Sequence, residues 1–86
     1  MYIIEIKKQA QKYLDKMNEP NLSKILEALR GLALWQGDIE KMKGKKNEYR
    51  LKVPKYRIMF TYNKGEIVIS VIRINPRGDV YKKGGN

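Results

Sequence analysis

At 86 residues the chain has room for one domain with an economical core, and it contains neither cysteine nor histidine. That excludes a disulfide framework, a cysteine-based zinc site and acid–base chemistry by the one side chain that titrates unaided near neutral pH. The net charge of +10 is unevenly placed: residues 1–40 hold six Lys/Arg and six Asp/Glu, residues 41–86 hold thirteen and three. Such a one-sided field points to a polyanionic partner, whether nucleic acid, an anionic membrane or an acidic protein. No apolar run approaches the roughly 20 residues of a membrane span, and the N-terminus lacks a signal-peptide pattern, so a soluble, cytoplasmic protein without a membrane role is expected.

In chain order, Tyr2, Ile3, Ile4 and Ile6 form a short β-prone run that reads as a first strand. Ala10, Tyr13, Leu14 and Met17 then fall at i, i+3, i+4, i+7, the spacing of one helical face. Asn18-Glu19-Pro20 ends this helix and opens another, because proline is tolerated in a helix's first turn. Leu22, Ile25, Leu26, Leu29, Leu32 and Ala33 make a second apolar stripe, and the short joint predicts a helical hairpin. Trp35 to Asn47 reads as a connection broken at Gly37 and Gly44, with Ile39 and Met42 pinning it to the core. Tyr49–Val53 alternates with period two, Pro54-Lys55 turns the chain, and Tyr56–Tyr62 alternates again. Asn63-Lys64-Gly65 supplies a hairpin turn, and Ile67–Ile74 is almost continuously apolar, so a strand covered on both faces is expected. The polar ending after Pro76 finishes in a frayed tail at 84–86. The predicted fold class is α+β, in the order β-α-α-β-β-β: an antiparallel sheet with the helical hairpin on one face, forming a single domain over 1–86.

Period two also sorts the polar residues. If Tyr49, Leu51 and Val53 meet the helices, Arg50 and Lys52 project together from the other face. Burial of Tyr56, Ile58 and Phe60 leaves Arg57 beside them, and the last strand leads to Arg77 and Tyr81. A single strand lysine is ordinarily just solvated; a cluster of cations in a half with three acids is harder to dismiss that way. Trp35, next to a leucine-rich stripe, reads as a core or cap residue rather than a base-stacking one, and Tyr13 as packing. Lys41, Lys43, Lys45 and Lys46 could grip phosphates or merely keep a loop soluble. Asp38 and Glu40 are too few for a carboxylate metal site.

Several stretches together carry a family resemblance: Ile39-Glu40-Lys41-Met42-Lys43-Gly44, Tyr49-Arg50-Leu51-Lys52-Val53, Tyr56-Arg57-Ile58-Met59-Phe60, and the ending Val71-Ile72-Arg73-Ile74-Asn75-Pro76-Arg77-Gly78-Asp79-Val80-Tyr81. In this order and spacing the chain resembles the RelE/ParE toxin superfamily over essentially its whole length. The resemblance implies the toxin of a type II toxin–antitoxin pair, held inactive by a cognate antitoxin that wraps it. The RelE branch enters the ribosomal A site and cuts mRNA with the RNA's own 2′-OH as nucleophile, so no metal or cofactor is implied. The ParE branch shares the fold but poisons DNA gyrase. Carried over residue by residue, the resemblance makes Lys52 a group that helps activate the 2′-OH and Arg50 a neighbouring source of positive charge. Arg57 would bind the scissile phosphate, Arg77 would stabilise or protonate the leaving oxygen, and Tyr81 would stack on a substrate base. Lys41, Lys43, Lys45, Lys46, Lys82 and Lys83 are the accompanying candidates for RNA binding. Two departures stand out. Arginine at position 50 stays charged and can stabilise an anion but hardly act as a base. Pro76 and Gly78 stand where many relatives carry histidine or a second arginine, which leaves the acid undefined.

Overall fold

Alternating apolar strands and two amphipathic helices divide the chain much as its periodicities predict, with one additional strand. The computed structural model describes residues 1–77. Strand β1 (Ile3–Ile6) leads into helices α1 (Lys8–Asp15) and α2 (Asn21–Leu32). Four strands follow: β2 (Asp38–Lys41), β3 (Glu48–Val53), β4 (Tyr56–Tyr62) and β5 (Val68–Pro76). The expectations placed on Tyr81, Lys82, Lys83 and the tail lie outside the described residues.

The strands form one sheet in the order β1-β5-β4-β3-β2. Strands β2 to β5 pair antiparallel, but β1 runs parallel to β5, so the sheet is mixed rather than wholly antiparallel. Parallel neighbours need a long crossover, and here the two helices sit between the first strand and the rest. At the start of α2 the Glu19 carboxylate accepts the Ser23 backbone N–H at 3.1 Å and the Ser23 hydroxyl at 2.5 Å. An otherwise unpaired amide of the first turn is satisfied, by an acid at the positive end of the helix.

One core joins the helices to the sheet. Ala10 and Leu14 of α1 and Ile25, Leu29 and Leu32 of α2 are buried with Leu51, Ile58, Phe60, Ile69, Val71 and Ile74. Full burial of such side chains is worth roughly 1.5–3 kcal/mol apiece, so this face dictates the register of the strands. Trp35 has the packing role expected of it: its ring lies 5.2–5.9 Å from those of Tyr2, Tyr49, Phe60 and Tyr62.

Two expectations need correction. The segment read as a plain connection contains β2, which pairs residue for residue with β3 from Asp38↔Lys52 to Lys41↔Tyr49. With Ile39 its one apolar residue, β2 has almost no hydrophobic signal and is held by the backbone of its neighbour. Nor is β5 covered on both faces. Ile69, Val71 and Ile74 face the helices, while Ser70 and Asn75 are half-buried and Arg73 is exposed. The apolar run lacks alternation because a β-bulge interrupts the pairing with β4, between Met59 and Phe60.

Gly37, just before β2, has φ +120°, and a Cβ there would stand 2.8 Å from Leu51 Cδ1. Gly44, with φ +74°, has nothing within 4 Å of its notional Cβ. Gly37→Ala should therefore destabilise the fold by about 1–3 kcal/mol through overpacking, beyond the backbone penalty that Gly44→Ala alone incurs. Chemical denaturation of the two variants beside the parent chain measures the difference; equal losses would contradict the contact with Leu51.

Candidate functional site

The face of the sheet turned away from the helices is built by the same register that builds the core. Residues directly opposite on neighbouring strands point to the same side, so the pairings can be read across the sheet as rows. One row runs Glu40, Arg50, Met59, Arg73, and the next runs Asp38, Lys52, Arg57, Asn75. A third row, towards the other end of the strands, runs Glu48, Thr61, Ser70, Glu5. Four cations thus occupy the middle of this face, with carboxylates along its β2 edge and at both ends of the third row.

Arg50, Lys52 and Arg57 converge as the alternation predicts, with Lys52 directly opposite Arg57. Their electrostatic states differ. Glu40, dismissed as a metal ligand in the sequence, accepts a 2.7 Å ion pair from an Arg50 terminal nitrogen and lies 3.7 Å from the Lys52 ammonium. Arg57 has no carboxylate partner among the described residues, and its Nε is buried without an acceptor. Arg50 Nε is likewise buried and unsatisfied. Buried polar groups normally find partners, and a guanidinium offers a planar fork of donors suited to carboxylate or phosphate. Among the described residues the face therefore has one cationic pair, Arg50 and Lys52, neutralised from within and two guanidiniums, on Arg57 and Arg73, without a carboxylate partner.

The remaining candidates are dispersed. Arg77 is exposed beyond the end of β5, where its backbone N–H donates to the Lys55 carbonyl at 2.7 Å, beside the β3–β4 turn. Lys41 opposes Tyr49 and so faces the helix side, with its ammonium 5.3 Å above the Tyr49 ring. It is not brought to the cationic face. Lys43, Lys45 and Lys46 are exposed in the β2–β3 hairpin, at the opposite end of β3 from Arg77. Tyr81, Lys82 and Lys83 lie outside the described residues. Sequence reading weighed Glu40 only as a metal ligand and gave Arg73 no role of its own. No helix among the described residues is long and apolar enough to cross a membrane.

The comparisons with known proteins agree with this architecture. Residues 4–81 match the sequence profile of the ParE toxin of the type II toxin–antitoxin system, parDE. The chain belongs to that family. It is a toxin of a type II toxin–antitoxin system, within the RelE/ParE superfamily that its motifs resemble. No curated protein matches closely enough to count as a relative. Among solved structures, it is similar to archaeal RelE in the RelE–RelB complex from Pyrococcus horikoshii OT3. There the TM-score is 0.73 at 26% identity, covering 91% of this chain and 97% of that one. The isolated E. coli RelE toxin has a TM-score of 0.76 at 19% identity, covering 99% and 96%. The toxin of the RelB–RelE complex from Methanococcus jannaschii has a TM-score of 0.70 at 24% identity, covering 90% and 94%. The fold of this ParE-family toxin is thus RelE-like.

The Glu40 carboxyl titrates below its ordinary value of 4.5, first through its hydrogen bond from Arg50, then through the charges of Arg50 and Lys52. For a carboxylate with a lowered folded-state pKa, the pairing is fully present above the ordinary range and is lost as pH falls through the lowered midpoint. An NMR titration should find the Glu40 midpoint below 4.5 in the parent chain and closer to it in Arg50→Ala. An unchanged midpoint in the variant would mean that Arg50 is not the main cause.

Proposed function

We propose that this toxin is a ribosome-dependent mRNA endonuclease that uses the RNA 2′-OH as nucleophile and cleaves codons in the ribosomal A site. The observation that carries the reading is Arg57: a guanidinium on an open sheet face, directly opposite Lys52, with no carboxylate partner among the described residues. A scissile phosphate is the anion this arrangement suits. The reaction removes a proton from the 2′-OH, whose oxygen attacks the adjacent phosphorus while the bond to the 5′ oxygen breaks. The products are a 2′,3′-cyclic phosphate and a free 5′-OH, and the departing oxygen takes up a proton. Arg57 stabilises charge on the phosphorane, with Lys52 and Arg50 beside it. Arg77 and Tyr81 are assigned to the leaving oxygen and to base stacking. The 2′-OH is internal to the substrate, so this chemistry requires no cofactor.

A chain without histidine must rely on fixed charge and on orientation more than on proton transfer. An unperturbed lysine, with a pKa of about 10.4, is a poor base at neutral pH. Orientation of reactants can supply roughly 7–11 kcal/mol in well-aligned systems, and a ribosome gripping its mRNA is one source of it. Cleavage is accordingly expected to be weak on naked RNA and strong on translating ribosomes. Comparable rates on the two substrates would contradict this dependence. The reading extends to a cognate antitoxin, a small acidic protein that neutralises the basic face; the P. horikoshii and M. jannaschii RelE structures are both complexes with RelB.

The ParE identity of the matched family supports a second reading, inhibition of DNA gyrase by protein binding. Induction in cells followed by mapping of mRNA 5′ ends separates the two. In-frame cuts within codons support the nuclease, and DNA damage with intact mRNA supports the gyrase poison. Lys52→Ala, Arg57→Ala and Tyr81→Ala should each relieve growth arrest. For Arg57 the loss in cleavage rate should be roughly 10²–10³-fold, the usual effect of removing one prearranged donor to a developing anion. Full toxicity in all three variants would rule out the nuclease.

A further inference from the structure

The chain changes face part-way along β5. Ile69 and Val71, two residues apart, are fully buried, yet the next buried residue is Ile74, three further on. The register accounts for the extra step: Phe60 opposes Val71 while its neighbour Met59 opposes Arg73, which leaves Ile72 as the unpaired residue of the bulge. Strict alternation after Ser70 would put Ile72 on the open face and Arg73 among the helices, where an unpaired charge is costly. The bulge takes up the extra step at Ile72, which is half-buried. It keeps Ile74 in the core at 2% exposure and turns Arg73 onto the face that carries Arg50, Lys52 and Arg57.

Arg73 is exposed there and makes no ion pair among the described residues. In its own row it is separated from the Arg50–Glu40 pair by Met59. Its diagonal neighbour is Arg57, because Arg57 opposes Asn75, two positions along β5. Diagonal neighbours on a sheet lie about 7–8 Å apart, so Arg57 and Arg73 stand side by side on this face, one on β4 and one on β5. Carboxylates close off the surroundings: Asp38 and Glu40 along the β2 edge, Glu48 and Glu5 at the ends of the next row. Among the described residues, Arg57 and Arg73 are thus the two cations of this face that no carboxylate partners.

We infer that Arg73 is a further substrate-binding residue, which grips the backbone phosphate adjacent to the one held by Arg57. The inference rests on the nuclease reading, and it adds a residue and a subsite to it: single-stranded RNA crosses the sheet diagonally, with successive phosphates on β4 and β5. Arg73 takes no part in the bond-breaking step. Its contribution is affinity for the strand that crosses Lys52 and Arg57.

The test is a salt titration of binding with the full chain, using a short 2′-O-methyl RNA that offers phosphates but no nucleophile. Neutralising one phosphate of a single strand contributes about 0.7 to the slope of log K against log salt. Arg73→Ala should bind more weakly, with a slope shallower by about 0.7, and Arg73→Lys should keep the parental slope. On translating ribosomes Arg73→Ala should raise the concentration needed for half-maximal cleavage and leave the saturated rate unchanged. If the parent chain binds and cleaves while Arg73→Ala matches it in affinity and slope, this inference is overturned and the nuclease reading stands. A fall in the saturated rate without a change in slope also overturns it, by giving Arg73 a role in the chemical step. Failure of the parent chain both to bind RNA and to cleave on ribosomes overturns the two together.

Discussion

Burial of Leu51, Ile58, Phe60, Val71 and Ile74 beneath the two helices fixes how β3, β4 and β5 pair, and the open face has no independent say in the matter. With a side-chain period of two, a slip of one residue in β4 would carry Ile58 and Phe60 into solvent and Arg57 into the core. The cost of that exchange, several buried apolar groups against one buried guanidinium, pins Lys52 opposite Arg57 more firmly than any contact between the two could. Two cations placed face to face gain nothing from each other. Their proximity is imposed by the other side of the sheet.

This is why the cationic cluster was legible in the sequence. Tyr49–Val53 and Tyr56–Tyr62 alternate cleanly, so knowing which residues are buried is enough to place Arg50, Lys52 and Arg57 on one face. The same logic fails where alternation fails. Ile67–Ile74 is apolar but for Ser70 and Arg73, and the trace of the bulge that sends Arg73 outward is the spacing of Ile69, Val71 and Ile74, two residues and then three. Strand β2 is silent for a different reason. Its residues Asp38, Glu40 and Lys41 are exposed, so nothing in its own composition asks for a sheet, and the backbone of β3 supplies the reason to extend. Glu40 could not be paired with Arg50 before β2 existed, and Lys41 could not be turned away from the site before its partner in the ladder was known to be Tyr49.

Glu40 changes how the cluster is to be understood. A sheet face carrying Arg50, Lys52, Arg57 and Arg73 without a counter-charge would be self-repelling in the absence of a ligand. The carboxylate relieves that strain at one corner only, where it orients Arg50 at 2.7 Å and leaves β4 and β5 unneutralised. An incoming polyanion therefore meets a gradient across the sheet, from carboxylates at β2 to open guanidiniums at β4 and β5. Long-range attraction comes from the whole excess of charge after residue 40, but the seat of the anion is narrower than that excess suggests. A held Arg50 has already given up part of its rotamer freedom, so ordering it around a ligand costs less than ordering a free side chain.

The bulge and the edge strand act on one surface from opposite sides. Strand β2 adds negative charge where the sheet would otherwise end in Arg50 and Lys52, and the bulge adds a positive charge where β5 would otherwise offer Ile72. Neither feature is needed to close the core: β2 contributes only the partly buried Ile39 to it, and a β5 that alternated strictly could carry an apolar residue at position 73. Each moves charge in the direction that steepens the gradient. For the RNA-cleaving activity proposed above, in a chain without histidine, steepening a fixed field is the physical means that remains, since prearranged cations stabilise charge where it develops.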